Sequence, residues 1–122
     1  MQRCMIVDDS SVIRKVAKRI LAGPTMAVAE AANRTQAIEM CTVQMPDVII
    51  VEGGLKDIPA IEFIRHVMSI PSPVRPSIIV CVTYFDIGFI MRAKRAGAAG
   101  YVLKPFSRVQ LLDRFKTVAV AA

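Results

Sequence analysis

The chain has 122 residues, enough for one domain with a core of ordinary size and too few for two. A hydrophobic fraction of 54% with 21% charged residues excludes a disordered or low-complexity polypeptide. Sixteen Lys and Arg against ten Asp and Glu leave a net charge of +6, which suits an acidic partner or a merely solvated basic surface and says nothing about fold.

Short apolar runs rich in Val and Ile alternate along the chain with longer stretches at helical spacing. The first run, CMIV (4–7), leads into Asp8 and Asp9 and then into SSVIRKVAKRILAG. There Val12, Ile13, Val16, Ile20 and Leu21 form an apolar face, with Arg14, Lys15, Lys18 and Arg19 opposite. Ser10 or Ser11 caps this helix, and Gly23 with Pro24 ends it. MAVA (26–29) predicts the second strand and 34–45 the second helix, stopped by Pro46. VIIV (48–51) predicts a third strand that runs into Glu52 and two glycines, before a helix over 60–69. SIIVCV (77–82) ends at Thr83 and precedes a helix over 86–96, and GYVL (100–103) ends at Lys104 and precedes a helix over 107–119.

Five repeats of strand then helix favour a parallel sheet with helices on both faces, and the unbroken apolar runs fit strands buried on both sides. In such a sheet ligands bind beyond the carboxyl ends of the strands. Asp8, Asp9, Glu52, Thr83 and Lys104 all follow strand ends and would converge there. Three carboxylates held together call for a hard divalent cation, Mg²⁺ above all, with Asp8, Asp9 and Glu52 as ligands. Lys104 and the Thr83 hydroxyl beside them would form an anion pocket. Each of these residues also has a plain structural role available, as helix cap or strand residue. Cys4, Cys41 and Cys81 lack metal-ligand spacing and read as buried reduced thiols. His66 reads as a surface or packing residue. The N-terminus carries neither a signal-peptide core nor a membrane span, so a soluble, cytoplasmic protein is expected.

MIVDDSSVIRKV, VAEAANRTQAIEM, PDVIIVE, VCVT and AGAAGYVLKPF resemble the receiver domain of two-component response regulators, chemotaxis regulators included, over essentially the whole chain. The resemblance implies a single receiver-like domain over 1–122. Its fold would be a doubly wound, flavodoxin-like five-stranded parallel sheet, order 2-1-3-4-5, flanked by five helices. It further implies a signalling module rather than an enzyme, with no catalytic residue assigned. In the family an acidic pair and an aspartate at the end of the third strand hold Mg²⁺, and that aspartate accepts a phosphoryl group from a histidine kinase. A Thr and a Lys then bind the phosphoryl oxygens, and an aromatic side chain near the fifth strand changes rotamer to expose a partner-binding face. Asp8, Asp9, Thr83, Lys104 and Tyr101 match those roles, and the Lys104–Pro105 bond is expected to be cis.

Glu52 stands where the family has its acceptor Asp. The extra methylene carries the carboxylate about 1.5 Å outward, and a displacement of about 1 Å in an in-line displacement costs on the order of a hundredfold in rate. The same displacement pushes a negative oxygen toward Thr83 and Lys104, so Glu52 is expected to imitate the phosphorylated state. Lys56 takes the place of a family proline, from which it could reach the carboxylates. Ala60 replaces a glycine, and Tyr84 follows the switch Thr, either narrowing access to Glu52 or pointing out toward a partner. Occurring together, these departures favour a naturally atypical receiver over one introduced Asp-to-Glu change.

The leading expectation is therefore a receiver-like module, a monomer or weak dimer, that binds a protein partner without depending on phosphorylation. Its working surface would be the fourth helix, fifth strand and fifth helix, with Arg92, Lys94, Arg95, Arg108, Arg114 and Lys116 facing an acidic protein. Two rivals stand beside it: a receiver that binds Mg²⁺ and is phosphorylated slowly by a histidine kinase, and a basic nucleic-acid-binding module. No DNA-reading motif supports the second rival.

Overall fold

The computed structural model describes the backbone of residues 2–121 and the side chains of residues 2–114. Ten elements alternate as the sequence predicts: β1 (Gln2–Val7), α1 (Ser11–Leu21), β2 (Met26–Ala31), α2 (Arg34–Val43), β3 (Val48–Glu52), α3 (Ala60–Ser69), β4 (Ser77–Val82), α4 (Ile87–Ala96), β5 (Gly100–Leu103) and α5 (Arg108–Ala121). The strands form one parallel sheet in the order β2-β1-β3-β4-β5. No helix among the described residues is long and apolar enough to cross a membrane.

Alternate residues of each central strand supply two cores. Met5, Val7, Ile49, Val51, Ile78 and Val80 face α2, α3 and α4, where Phe63, Ile64 and Val67 are fully buried. On the other side Cys4, Ile6, Ile50, Ile79, Cys81 and Val102 pack with Ala17 and Leu21 of α1 and Leu111 of α5. Each of the larger side chains contributes about 1.5–3 kcal/mol by leaving water. All three cysteines are buried free thiols, and burial raises Cys4 and Cys81 to about 12 and Cys41 to about 11, so they stay protonated and inert.

Two details depart from the periodicity. The edge strand β2 alternates between half-buried and exposed positions, because only β1 pairs with it and Ala27 and Ala29 leave one face uncovered. In α1 the buried positions are Ala17 and Leu21, while Val12 is 68% exposed and Val16 is exposed as well. A small alanine, not a valine, lets the helix approach the sheet, and this rotates Val12 and Val16 out to solvent.

The helix ends follow local chemistry. Ser10 caps α1, its hydroxyl accepting from the Ile13 amide at 3.3 Å; Asn33 and Asp86 cap α2 and α4 in the same way. Gly97 closes α4 at φ +126°, a conformation that side-chain-bearing residues rarely adopt.

Register sets the functional edge. Val7 of β1 lies opposite Val51 of β3, so Asp8 and Glu52 leave their strands side by side. Val82 lies opposite Leu103, which puts Thr83 and Lys104 level one strand pair further on. Gly53 then turns the chain away: its amide donates to the Cys81 carbonyl at 2.8 Å, and a Cβ at Gly53 would stand 2.9 Å from that oxygen. The substitution Gly53→Ala is expected to lower stability by about 1–3 kcal/mol, read as a lower urea midpoint at unchanged slope; an unaltered midpoint would show that the strand end yields freely.

Candidate functional site

Asp8, Glu52 and Lys104 form a compact cluster at the carboxyl edge of the sheet. Asp8 is 3% exposed and held from three directions. Its Oδ1 accepts from the Ser10 amide at 2.9 Å, which ties it to the start of α1. Its carbonyl accepts from Arg14, whose guanidinium also reaches Glu30 of β2 at 3.2 Å. Its Oδ2 accepts from Lys104 Nζ at 2.6 Å.

Glu52 is fixed at both ends. One carboxylate oxygen accepts from the Gly54 amide at 3.0 Å, the other accepts from Lys104 Nζ. Lys104 is itself oriented from β5, its backbone amide donating to the Val82 carbonyl at 2.7 Å, and the Lys104–Pro105 peptide bond is cis as expected. One ammonium therefore lies between two carboxylates, and all three side chains are at least five-sixths buried. Burial alone would push the Lys104 pKa down; the hydrogen bonds to Asp8 and Glu52 and their charges outweigh it and hold the group above the usual lysine range.

The other residues singled out by the sequence lie around this cluster rather than in it. Asp9 is exposed, and among the described residues no hydrogen bond or ion pair joins it to Asp8, Glu52 or Lys104. Thr83 is exposed and lines, with Glu52, Gly54, Tyr84 and Phe89, a cleft of about 230 Å³. Tyr84 is 69% exposed and also lines that cleft beside Glu52, so it stands at the mouth, open both to solvent and to the approach to Glu52. Lys56 is exposed in the loop after β3 and pairs with no carboxylate among the described residues.

Tyr101 is half-buried, with the Phe85 ring tilted at 59° and 5.9 Å from its centroid and the Arg114 guanidinium 5.3 Å over its face. Around it Tyr84, Phe85, Ile87, Met91 and Leu103 present apolar surface to solvent. Arg92, Lys94, Arg95 and Arg108 are exposed on α4 and α5; Lys116 lies outside the described side chains.

Whether the cluster fits a divalent cation depends on its donors. Among the described residues no three Asp, Glu, His or Cys side chains stand close enough together to hold a metal ion. Asp8 and Glu52 both spend an oxygen on Lys104, and Asp9 stands apart. As arranged, the ammonium does the neutralising that a metal would do, and two carboxylates, Asp8 and Glu52, rather than the three expected, stand together as donors for Mg²⁺.

Two contributors escaped the sequence. Arg34 opens α2 in the sequence Asn33-Arg34-Thr35, which reads as an ordinary cap followed by an exposed first turn, yet its side chain is wholly buried behind Glu52. Phe85 reads as a loop residue, and nothing in its spacing signals a contact with Tyr101.

Comparison with known proteins agrees with this fold. Residues 4–116 match the response regulator receiver domain family. The chemotaxis protein CheY of Thermotoga maritima is 28% identical over 119 residues, covering 97% of this chain and 98% of that protein. Vibrio cholerae CheY4 superposes with a TM-score of 0.84 at 26% identity, over 97% of this chain and 98% of its own. A protein-glutamate methylesterase/protein-glutamine glutaminase of Xanthomonas campestris is 38% identical over 106 residues, but these are 83% of this chain and only 29% of that enzyme. The chain belongs to the response regulator receiver domain family, with the flavodoxin-like sheet order 2-1-3-4-5 and a place in two-component signalling.

Proposed function

We propose that this receiver domain signals without phosphorylation at the usual site, with Glu52 bound to Lys104 standing in for the phosphorylated state, and that it acts by binding a protein partner. The observation that carries the reading is the single ammonium shared by Asp8 and Glu52. The longer side chain reaches the lysine that in the family would hold a phosphoryl oxygen. Glu52 brings about one negative charge where a phosphoryl group would bring about 1.5 to 2, so the imitation is partial. Mg²⁺ on Asp8, Asp9 and Glu52 remains the family's alternative.

The docking surface is the face of α4, β5 and α5. Tyr84, Phe85, Met91 and Leu103 offer apolar contact there, and Arg92, Lys94, Arg95 and Arg108 offer charge for an acidic protein surface. Nucleic acid finds a basic patch on this face but no base-reading element. The phosphorylation half of the reading is tested by incubating the chain with acetyl phosphate and Mg²⁺ and recording its intact mass. The expected spectrum contains no phosphoryl adduct. A stoichiometric, hydroxylamine-sensitive adduct would return Glu52 to the role of acceptor.

A further inference from the structure

The side chain of Arg34 is 0% exposed, the largest fully buried side chain in the described structure, and it carries a charge. A buried guanidinium is tolerated only where its donors are used. Here Nη1 donates to the Leu55 carbonyl at 2.8 Å and to the Ile58 carbonyl, and Nη2 donates to the carbonyl of Glu52 itself. Only Nε lacks a partner. The next residue extends the attachment: the Thr35 amide and hydroxyl donate to Asp57 Oδ2 at 2.9 and 3.1 Å. Four hydrogen bonds thus fasten the loop 53–59 to the first turn of α2, and a fifth holds the last residue of β3. Asp57 and Glu52 supply the negative charge that opposes the burial cost of the guanidinium.

We propose that Arg34 is the positioning residue of the site. By gripping the Glu52 carbonyl from beneath and the loop carbonyls beyond it, Arg34 fixes the backbone from which the Glu52 side chain reaches both the Gly54 amide and Lys104. The fork matters because two separate nitrogens share the carbonyls of Glu52, Leu55 and Ile58, whereas an ammonium offers its donors from a single point. Consequently the loop after β3 is a fixed part of this domain, and the carboxylate is aimed from α2 as well as from its own strand. This rests on the reading of Glu52 as a standing partner of Lys104, but its test observes the loop backbone rather than phosphorylation or partner binding, so the two fail separately.

The test is nuclear magnetic resonance on the full chain. In the parent protein the Arg34 Nη protons are expected as resolved, slowly exchanging signals with couplings to the carbonyls of Glu52 and Leu55; averaged, freely exchanging signals overturn the proposal. In Arg34→Lys and Arg34→Met, the Gly54 amide is expected to exchange about tenfold faster or more while the Ile49 and Val51 amides keep their relative protection. Unchanged Gly54 exchange, or acceleration only in step with the β3 amides, would mean that Arg34 stabilises the fold without aiming Glu52. Should neither variant fold, the parent measurement decides.

Discussion

The substitution Glu52→Asp is expected to raise the rate of phosphorylation by acetyl phosphate and Mg²⁺ on the order of a hundredfold over the parent chain. Two effects act together. Shortening the side chain draws the carboxylate back by about one C–C bond, 1.5 Å, restoring room for an in-line approach. It also withdraws one of the two carboxylates that hold Lys104. The ammonium, now held by Asp8 alone, can then turn a donor toward a phosphoryl oxygen. The gain is expected to be incomplete, because the Tyr84 ring still stands at the mouth of the cleft beside Glu52. Adding Tyr84→Ala should therefore accelerate the reaction further. Time-resolved intact mass measurements on the three proteins decide the matter. Equal rates for parent and Glu52→Asp would show that the methylene is not what separates this chain from a phosphorylated receiver, and equal rates with and without the Tyr84 ring would show that the ring is no barrier.

What the sequence made legible follows from where apolar pattern controls structure. β1, β3 and β4 are buried on both faces, so their runs mark the strands and their ends without ambiguity, and the residues after those ends share one edge by topology alone. Asp8, Glu52 and Lys104 were therefore recoverable as neighbours. Their pairing was not, since which carboxylates share the ammonium, and that Asp9 stands apart, depends on side-chain rotamers and on the anchoring of Asp8 by Ser10 and Arg14. Val12 and Val16 misled because periodicity sees only polarity, whereas the close approach of α1 is decided by the small side chain of Ala17. Arg34 was hidden for a related reason: a charge in a first helical turn reads as solvated, and only the loop folding back over it supplies the carbonyls that make burial tolerable. The sequence spacing between Arg34 and Leu55 carries no signal for that contact.

The most severe loss of stability is expected from Lys104→Met. Removing the ammonium leaves Asp8 and Glu52 facing each other with little access to water, and taking one partner from a buried ionic group costs about 3–5 kcal/mol. With side chains that retain some exposure, the lower end of that range is expected. The pH dependence carries a separate signature. Because folding raises the Lys104 pKa above the ordinary value of 10.5, the stability it contributes is complete below that value and is lost as pH climbs through the folded pKa above it. The parent chain should therefore lose urea resistance on the alkaline side of 10.5, and Lys104→Met should lack this component. If the ammonium occupies the place of a divalent ion, Mg²⁺ should restore part of the midpoint lost by Lys104→Met and leave the parent chain nearly unchanged, since only the variant has free carboxylate oxygens facing one another. Chemical denaturation of both proteins with and without Mg²⁺ reads all of this. A variant as stable as the parent, or a parent stabilised by Mg²⁺ as strongly as the variant, would show that Lys104 is not the cation that holds Asp8 and Glu52 together.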